Sequence, residues 1–406
     1  TWTAELDGAT AALPVGVPGA AGAAPRDLLA VADLSGPGAE RCRAHVLGLE
    51  LAVGRVNAEG GVDGGRKLAP LVLDSGGSRT RAAELARRAL RRGAVALAGV
   101  CGAGGEAAVA QAAASGVPSI VGDPAVEPVA ARDTFRLAAD PGAAGVAVAQ
   151  AIRQQVLPFS LPSARTIAVA VGRDTPGARF LAGLRKGLAG AGRQILVTTP
   201  GAAVHRLDRR RTAAVVLDAG DAAAPQLAAR LARAGSLAPA PVFASERLLS
   251  ERFVLAAGRL GRLGVVQGAS TVTPLSRDAL AVVRAIPALW PGERPSLDAL
   301  RGYVTGLALR EALRNGEGAL AARLMRPAPF TDALAAPWRA DAPAAGSPRL
   351  DLVVPRFLAA TLIPPSQGGE SFDGTWFSDG SWTRASTAAY GPSLRAPVPP
   401  LPSAGP

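Results

Sequence analysis

Residues 50–74 read ELAVGRVNAEGGVDGGRKLAPLVLD, and this stretch contains one complete change of period. Val46, Leu49, Val53 and Val56 recur at helical spacing, Gly60 and Gly61 stop the helix, and Leu68 to Leu73 is a compact apolar run of strand length. A helix that ends in glycines and feeds an apolar strand is half of a parallel α/β unit, so the neighbouring sequence should repeat the alternation.

It does so on both sides. Leu28 to Ala32 reads as a strand and Gly36 to Gly38 as a turn, and after the quoted stretch come a helix over Arg79 to Arg92 and a strand over Val95 to Val100. Glu106 to Ser115 is helical and Pro118 to Val121 is a strand. The rhythm then restarts. Helices are expected over Ala143 to Val156, Gly177 to Ala191 and Pro225 to Ala234, and strands over Thr166 to Val171, Gln194 to Val197, Ala213 to Leu217, Pro241 to Ala244 and Leu263 to Gln267. Two successive units of similar size imply an α/β fold of two Rossmann-like lobes with parallel sheets, and a ligand cleft between lobes where strand C-termini face each other. After Gly268 the chain reads as helices over Arg277 to Leu289 and Leu297 to Arg314, then a strand-like piece over Leu352 to Leu358. The expected partition is a small-residue tether over 1–25, a first lobe over 26–140 with a return over 267–345, a second lobe over 141–266 with a return over 346–390, and a disordered tail over 391–406.

Composition narrows the function. The 406 residues carry a net charge of +12, yet Lys67 and Lys186 are the only lysines and the arginines are scattered without the aromatic residues of a base-stacking surface, so no nucleic-acid partner is expected. No apolar run reaches the ~18 residues that span a bilayer. The N-terminal small-residue segment fits a trimmed product that is secreted or tethered at the cell surface.

Gly99 to Gly105, GVCGAGG, lies between an apolar strand and an alanine-rich helix. Glycines there let a ligand approach the backbone, and the helix start offers free N–H groups to an anion. The spacing is not G-x-G-x-x-G, and the loop follows the third strand of its unit rather than the first, which argues against a dinucleotide. No phosphate-binding G-x-x-x-x-G-K-[ST], no G-x-S-x-G and no metal-ligand spacing around His45 or His205 is present, so neither an enzyme nor a cofactor is expected. Ser35 reads as a hydroxyl lining the end of the first strand. Cys42 and Cys101, the only cysteines, fit either one disulfide or two buried thiols.

The quoted stretch resembles the type I periplasmic binding proteins, and within them the branched-chain amino-acid (leucine/isoleucine/valine) binding family of ABC importers. Asn57, Gly60, Gly61, Val62 and Gly64 supply that family's N-x-x-G-G-[IV]-x-G pattern, and the order of elements continues through GVPSIVGDPA and TFRLAADP to about Gly268. The resemblance implies two lobes that close on a small solute, and a membrane permease that reads the closed shape. It also implies a monomer that delivers an amino acid or related carboxylate to an importer, with a membrane sensor or degenerate partner-binding module on the same fold as the alternative. The family's ligand-carboxylate hydroxyls fall on Gly102 and Ala125, which leaves the backbone N–H groups of Gly102, Ala103, Gly104 and Gly105 to hold the anion. Its acidic residue for the ligand ammonium has a counterpart in Glu246, with Asp218 as a comparable candidate. Small residues around Thr175, Pro176 and Asp221 replace its aromatic wall. The family's usual partner for the third-strand cysteine is missing after the second strand, and Cys42 is implied as the partner of Cys101.

Overall fold

Leu28–Ala32 is five consecutive apolar residues with no exposed surface, the mark of a central strand covered on both faces. In the computed structural model it forms most of β3 (Arg26–Ala32). The structure describes residues 2–6, 9–13, 24–36, 38–62, 65–126, 133–138, 140–199, 210–218, 240–248, 263–267, 282, 285–293, 296–314, 349–353, 374–377 and 382–383. The helix expected over Pro225 to Ala234, most of that over Arg277 to Leu289, His205, Asp221 and the tail over 391–406 lie outside these residues.

The chain divides into two units. The first comprises residues 1–137, 270–345 and 397–406, and the second residues 138–269 and 346–396. In the first, β3 pairs in parallel with β4 (Leu68–Asp74) on one side and β5 (Ala96–Leu97) on the other, followed by β6 (Ser119–Val121) and β7 (Thr134–Arg136). The order β4-β3-β5-β6-β7 is a doubly wound sheet in which the chain reverses its direction of travel between β3 and β5. β5 is shorter than the expected Val95 to Val100, and an isolated bridge between Ala32 and Cys101 extends its pairing with β3.

The helices of this unit are α1 (Ala39–Ala58), α2 (Arg79–Arg91), α3 (Gly105–Ala114) and α6 (Leu297–Arg314). Gly60 and Gly61, at φ +109° and +80°, end α1 where a Cβ is strained. α2 and α3 bury Ala82, Ala86 and Val109 with Leu29, Val31 and Leu97 of the sheet. α1 and α6 approach backbone to backbone: a Cβ on Gly48 would stand 1.8 Å from the Ala299 carbonyl oxygen, and one on Gly302 1.8 Å from that of His45.

The second unit repeats the plan. β8 (Thr166–Val171), β9 (Gln194–Val197), β10 (Thr212–Asp218), β11 (Val242–Ser245) and β12 (Leu263–Gln267) form a parallel sheet in the order β9-β8-β10-β11-β12. Its reversal lies between β8 and β10. α4 (Pro141–Ala151) and α5 (Thr175–Leu188) also pack through glycines, since a Cβ on Gly145 would meet the Phe180 carbonyl at 2.1 Å and one on Gly183 that of Gly142 at 2.0 Å. Asp140 and Asp174 cap these helices by accepting from the N–H groups of Ala143 and Gly177, each with a proline in the first turn. The helix expected to run to Val156 changes at Ile152 into a π-helical turn, Ile152–Val156, and a 3₁₀ turn, Leu157–Phe159, where Pro158 cannot continue it.

Three antiparallel strands complete this sheet beyond β12: β13 (Arg349–Val353), β14 (Gly374–Phe377) and β15 (Trp382–Thr383). Trp376 stands opposite Trp382, so the two tryptophans of WFSDGSW pair across β14 and β15. At the other terminus, β1 (Trp2–Leu6) and β2 (Ala9–Leu13) pair antiparallel where the sequence reads as a tether.

Candidate functional site

In the first unit three strands end their apolar runs in an aspartate or reach one two residues later: LLAVAD at Asp33, LVLD at Asp74 and SIVGD at Asp123. These side chains turn back onto neighbouring loops at the C-terminal edge of the sheet. Asp33 is only 6% exposed; its Oδ1 accepts from the Ser75 hydroxyl at 2.6 Å and the Gly77 N–H at 3.0 Å, and its Oδ2 accepts from the Ala103 N–H at 2.7 Å. Asp123, 1% exposed, accepts from the N–H groups of Gly102 at 3.1 Å and Ala125 at 2.9 Å, and from the Arg41 guanidinium at 2.8 Å. Burial pushes the Asp123 carboxyl up, but Arg41 and the Ala125 N–H more than reverse this and hold it well below the usual carboxylate range.

The sequence-predicted residues of this unit therefore share one edge. Gly102 has φ +96°, and Gly104 precedes α3 as its buried cap residue. Gly105 donates to the Gly102 carbonyl at 3.1 Å. Ser35 is exposed and donates to Asp74 Oδ2 at 2.7 Å. Asp74 also accepts from the N–H groups of Leu34 and Gly76, each at 2.8 Å; burial raises its carboxyl, but these donors bring it below its ordinary value. Of the four N–H groups expected to meet a solute anion, those of Gly102 and Ala103 are engaged by carboxylates of the chain itself and that of Gly105 by the Gly102 carbonyl; the Ala125 N–H is likewise engaged by Asp123.

The same edge is pinned covalently, for Cys42 of α1 and Cys101 form a disulfide buried with Ala32 and Val46. His45, one turn further along α1, is buried, and burial lowers it to about 4, against the pull of Asp123 and Asp298. It is a core histidine. Among the described residues no group of three or more His, Cys, Asp or Glu is placed to hold a metal.

In the second unit Asp218 and Glu246 share the C-terminal edge of β10 and β11, and both are buried. Ser245 donates its hydroxyl to Asp218. Arg247 donates to Asp218 Oδ2 at 3.2 Å and to both oxygens of Asp174, so one guanidinium spans the strand ends on either side of the reversal. Burial raises the Asp218 carboxyl despite Arg247 and Ser245, with Asp174 adding to the rise. Thr175 is exposed and Pro176 buried at the start of α5. Sequence reasoning missed Asp33, Asp123, Asp174 and Arg247; the signal was the strand-terminal aspartate.

With both sheets and their edges in view, the comparison with known sequences decides the family: residues 29–347 match the family described as periplasmic binding protein. The chain belongs to the periplasmic binding proteins. No curated protein matches its sequence. Solved structures share the fold at low identity. A fatty acid ABC transporter substrate-binding protein from Thermomonospora curvata is 17% identical with a TM-score of 0.65, over 81% of this chain and 88% of that one. The branched-chain amino acid transporter substrate-binding protein LivJ from Streptococcus pneumoniae, in complex with isoleucine, is 17% identical with a TM-score of 0.61, over 82% and 97%. A solute-binding protein of an ABC transporter from R. palustris, in complex with benzoate, is 19% identical with a TM-score of 0.60, over 81% and 92%. These periplasmic binding proteins hold chemically different solutes, so the shared fold names no solute for this one.

Proposed function

We propose that this periplasmic binding protein is a non-enzymatic, extracytoplasmic solute receptor that captures a small polar solute between two closing lobes and presents it to the permease of an ABC importer. The observation that supports this best is a repeated one. Each unit has a doubly wound parallel sheet, and each gathers polar loops at the strand C-termini beside its own reversal, where such sheets bind ligands. No helix among the described residues is long and apolar enough to cross a membrane. Ligand contacts made only in the closed state would couple binding to closure.

The proposed ligand-facing residues are Ser35, Gly102, Ala103, Gly104, Gly105 and Ala125 in the first unit, with Asp218 and Glu246 in the second. The isoleucine complex among the fold relatives makes an amino acid or related carboxylate the first class to test, with its carboxylate-free analogues beside it. Thermal unfolding measured with amino acids, amides, amines and organic acids should give at least one solute that raises the midpoint. A ligand at 100 times its Kd adds about 2.7 kcal/mol to the folded state. Substitutions at Ser35 and at Asp218 should each weaken that ligand if both units hold it. The engaged N–H groups of the first unit favour a second reading, a partner-binding module on the same fold. A broad screen in which no solute shifts the midpoint would replace the first reading by the second.

A further inference from the structure

In a chain of net charge +12, the strand C-terminal ends of the two units carry Asp33, Asp74, Asp123, Asp174, Asp218 and Glu246. Complementing helix N-termini accounts for part of this; Asp174, for example, caps α5. It does not account for Asp33 and Asp123. Each sends its carboxylate across strand ends to backbone N–H groups of a loop 70 or 21 residues away. Asp33 crosses the sheet at the β3/β5 reversal, the position where a doubly wound sheet otherwise holds a ligand.

Space gives an independent reading of the same point. A Cβ built on Gly102 would stand 2.1 Å from Asp33 Oδ2, so the volume a side chain would use there is filled by that carboxylate. Asp33 has three neutral donors and, among the described residues, no ion pair. We propose that Asp33 and Asp123 are built-in occupants of the Gly102, Ala103 and Ala125 N–H groups at the rim of the first unit. A solute then meets this rim through an uncharged or cationic donor group, not through a carboxylate. The proposal rests on the solute-receptor reading for its second half only, since the occupancy of the N–H groups is a property of the chain alone.

Two measurements on the full chain test it. In the first, sodium acetate is titrated into ¹⁵N-labelled protein while the amides of Gly102, Ala103 and Ala125 are followed. The wild type should show no saturable shift at these amides, whereas Asp33→Ala should acquire one at Ala103 with millimolar affinity. Asp123→Ala, which uncovers Gly102 and Ala125 instead, is the second variant should Asp33→Ala not fold. A saturable response of these amides in the wild type overturns the proposal, and so does a folded variant whose uncovered amides ignore acetate. In the second, leucine, leucinamide and 3-methylbutylamine are compared by calorimetry, and the two solutes without a carboxylate should bind at least tenfold more tightly than the acid. Tighter binding of leucine overturns the solute half. If none of the three binds and a wide screen is also silent, the receptor reading fails, while the acetate titration still decides the occupancy.

Discussion

The two sheet reversals carry the same kind of residue and treat it differently. At β3/β5 the buried Asp33 is held by one hydroxyl and two backbone N–H groups, while at β8/β10 the buried Asp218 and the exposed Asp174 share the guanidinium of Arg247. Backbone donors belong to loops that the fold fixes anyway, so they bind a carboxylate at little further entropic cost. A long arginine must be ordered for the purpose, and its removal leaves the buried Asp218 without a counter-charge while the exposed Asp174 keeps water and the Gly177 N–H. The first rim is thus a rigid, self-completed surface, and the second depends on one side chain.

The disulfide widens that contrast, because the first unit alone has one among the described residues. The bridge closes 59 residues, and chain-entropy arguments for a loop of this size give about 4 kcal/mol of stabilisation. Replacing Cys42 and Cys101 by alanine should therefore lower denaturant-measured stability by about that amount. A loss below about 1 kcal/mol would mean that the self-capped loops hold this edge without the bridge.

Next in size is Arg247→Ala. Removing the cation of a buried pair costs about 3 kcal/mol, because Asp218 stays buried with, among the described residues, Ser245 alone to serve its carboxylate. The pH dependence follows from the direction of the Asp218 shift. Its carboxyl is already raised by burial, and loss of Arg247 raises it further, so the folded variant takes up a proton more readily than the unfolded chain. The deficit should be full at neutral pH and narrow as the solution is acidified. Parallel unfolding curves for wild type and variant at several pH values show this directly. A deficit that is constant with pH would mean that the damage is packing, not charge.

How much of this the sequence carried depends on how far apart the interacting residues lie. The helix end at Gly60 and Gly61 and the buried run Leu28 to Ala32 rest on local periodicity and backbone limits, and both stand in the structure. The pairing of Cys42 with Cys101 came from a family likeness and also stands. The GVCGAGG loop was legible as a strand-to-helix turn at a sheet edge. Its engagement was not, because the Ala103 N–H is taken by a residue 70 positions earlier, and no local pattern encodes that distance. The WFSDGSW segment was opaque for a related reason: Trp376 and Trp382 belong to short antiparallel strands that extend a sheet begun some two hundred residues upstream.

Inside the first unit, two groups on α1 give nearly as large an effect, spread over pH and opposite in sign. Glu50 is buried, and burial alone raises it to about 7 from 4.5. A carboxyl raised on folding contributes stability that is complete below 4.5 and lost as pH climbs through about 7, a swing of about 3 kcal/mol. His45, lowered from 6.5 to about 4, does the reverse, since the unfolded chain takes up its proton first as pH falls through that window. The two slopes oppose each other between 4.5 and 6.5 and should leave a flat wild-type profile there. Glu50→Gln should tilt the profile so that stability rises with pH, and His45→Gln should tilt it the other way. Thermal midpoints of the two variants across that range that stayed parallel to the wild type would contradict both assignments.

The smallest stability effect belongs to Ser35, and it separates structure from function at the same rim. Its hydroxyl donates to Asp74 in an exposed setting, where water replaces a lost donor and the net contribution is about 0.5 kcal/mol. Asp74 keeps the N–H groups of Leu34 and Gly76 in Ser35→Ala, so the loop should hold its shape and the unfolding midpoint should barely move. Affinity need not follow. A hydroxyl that meets the solute inside a closed, water-poor site is worth about 1.4 kcal/mol, or a factor of ten in Kd. A tenfold weaker Kd on an unchanged fold would place Ser35 against the solute. An unchanged Kd would leave it a loop residue whose work is to complete the solvation of Asp74.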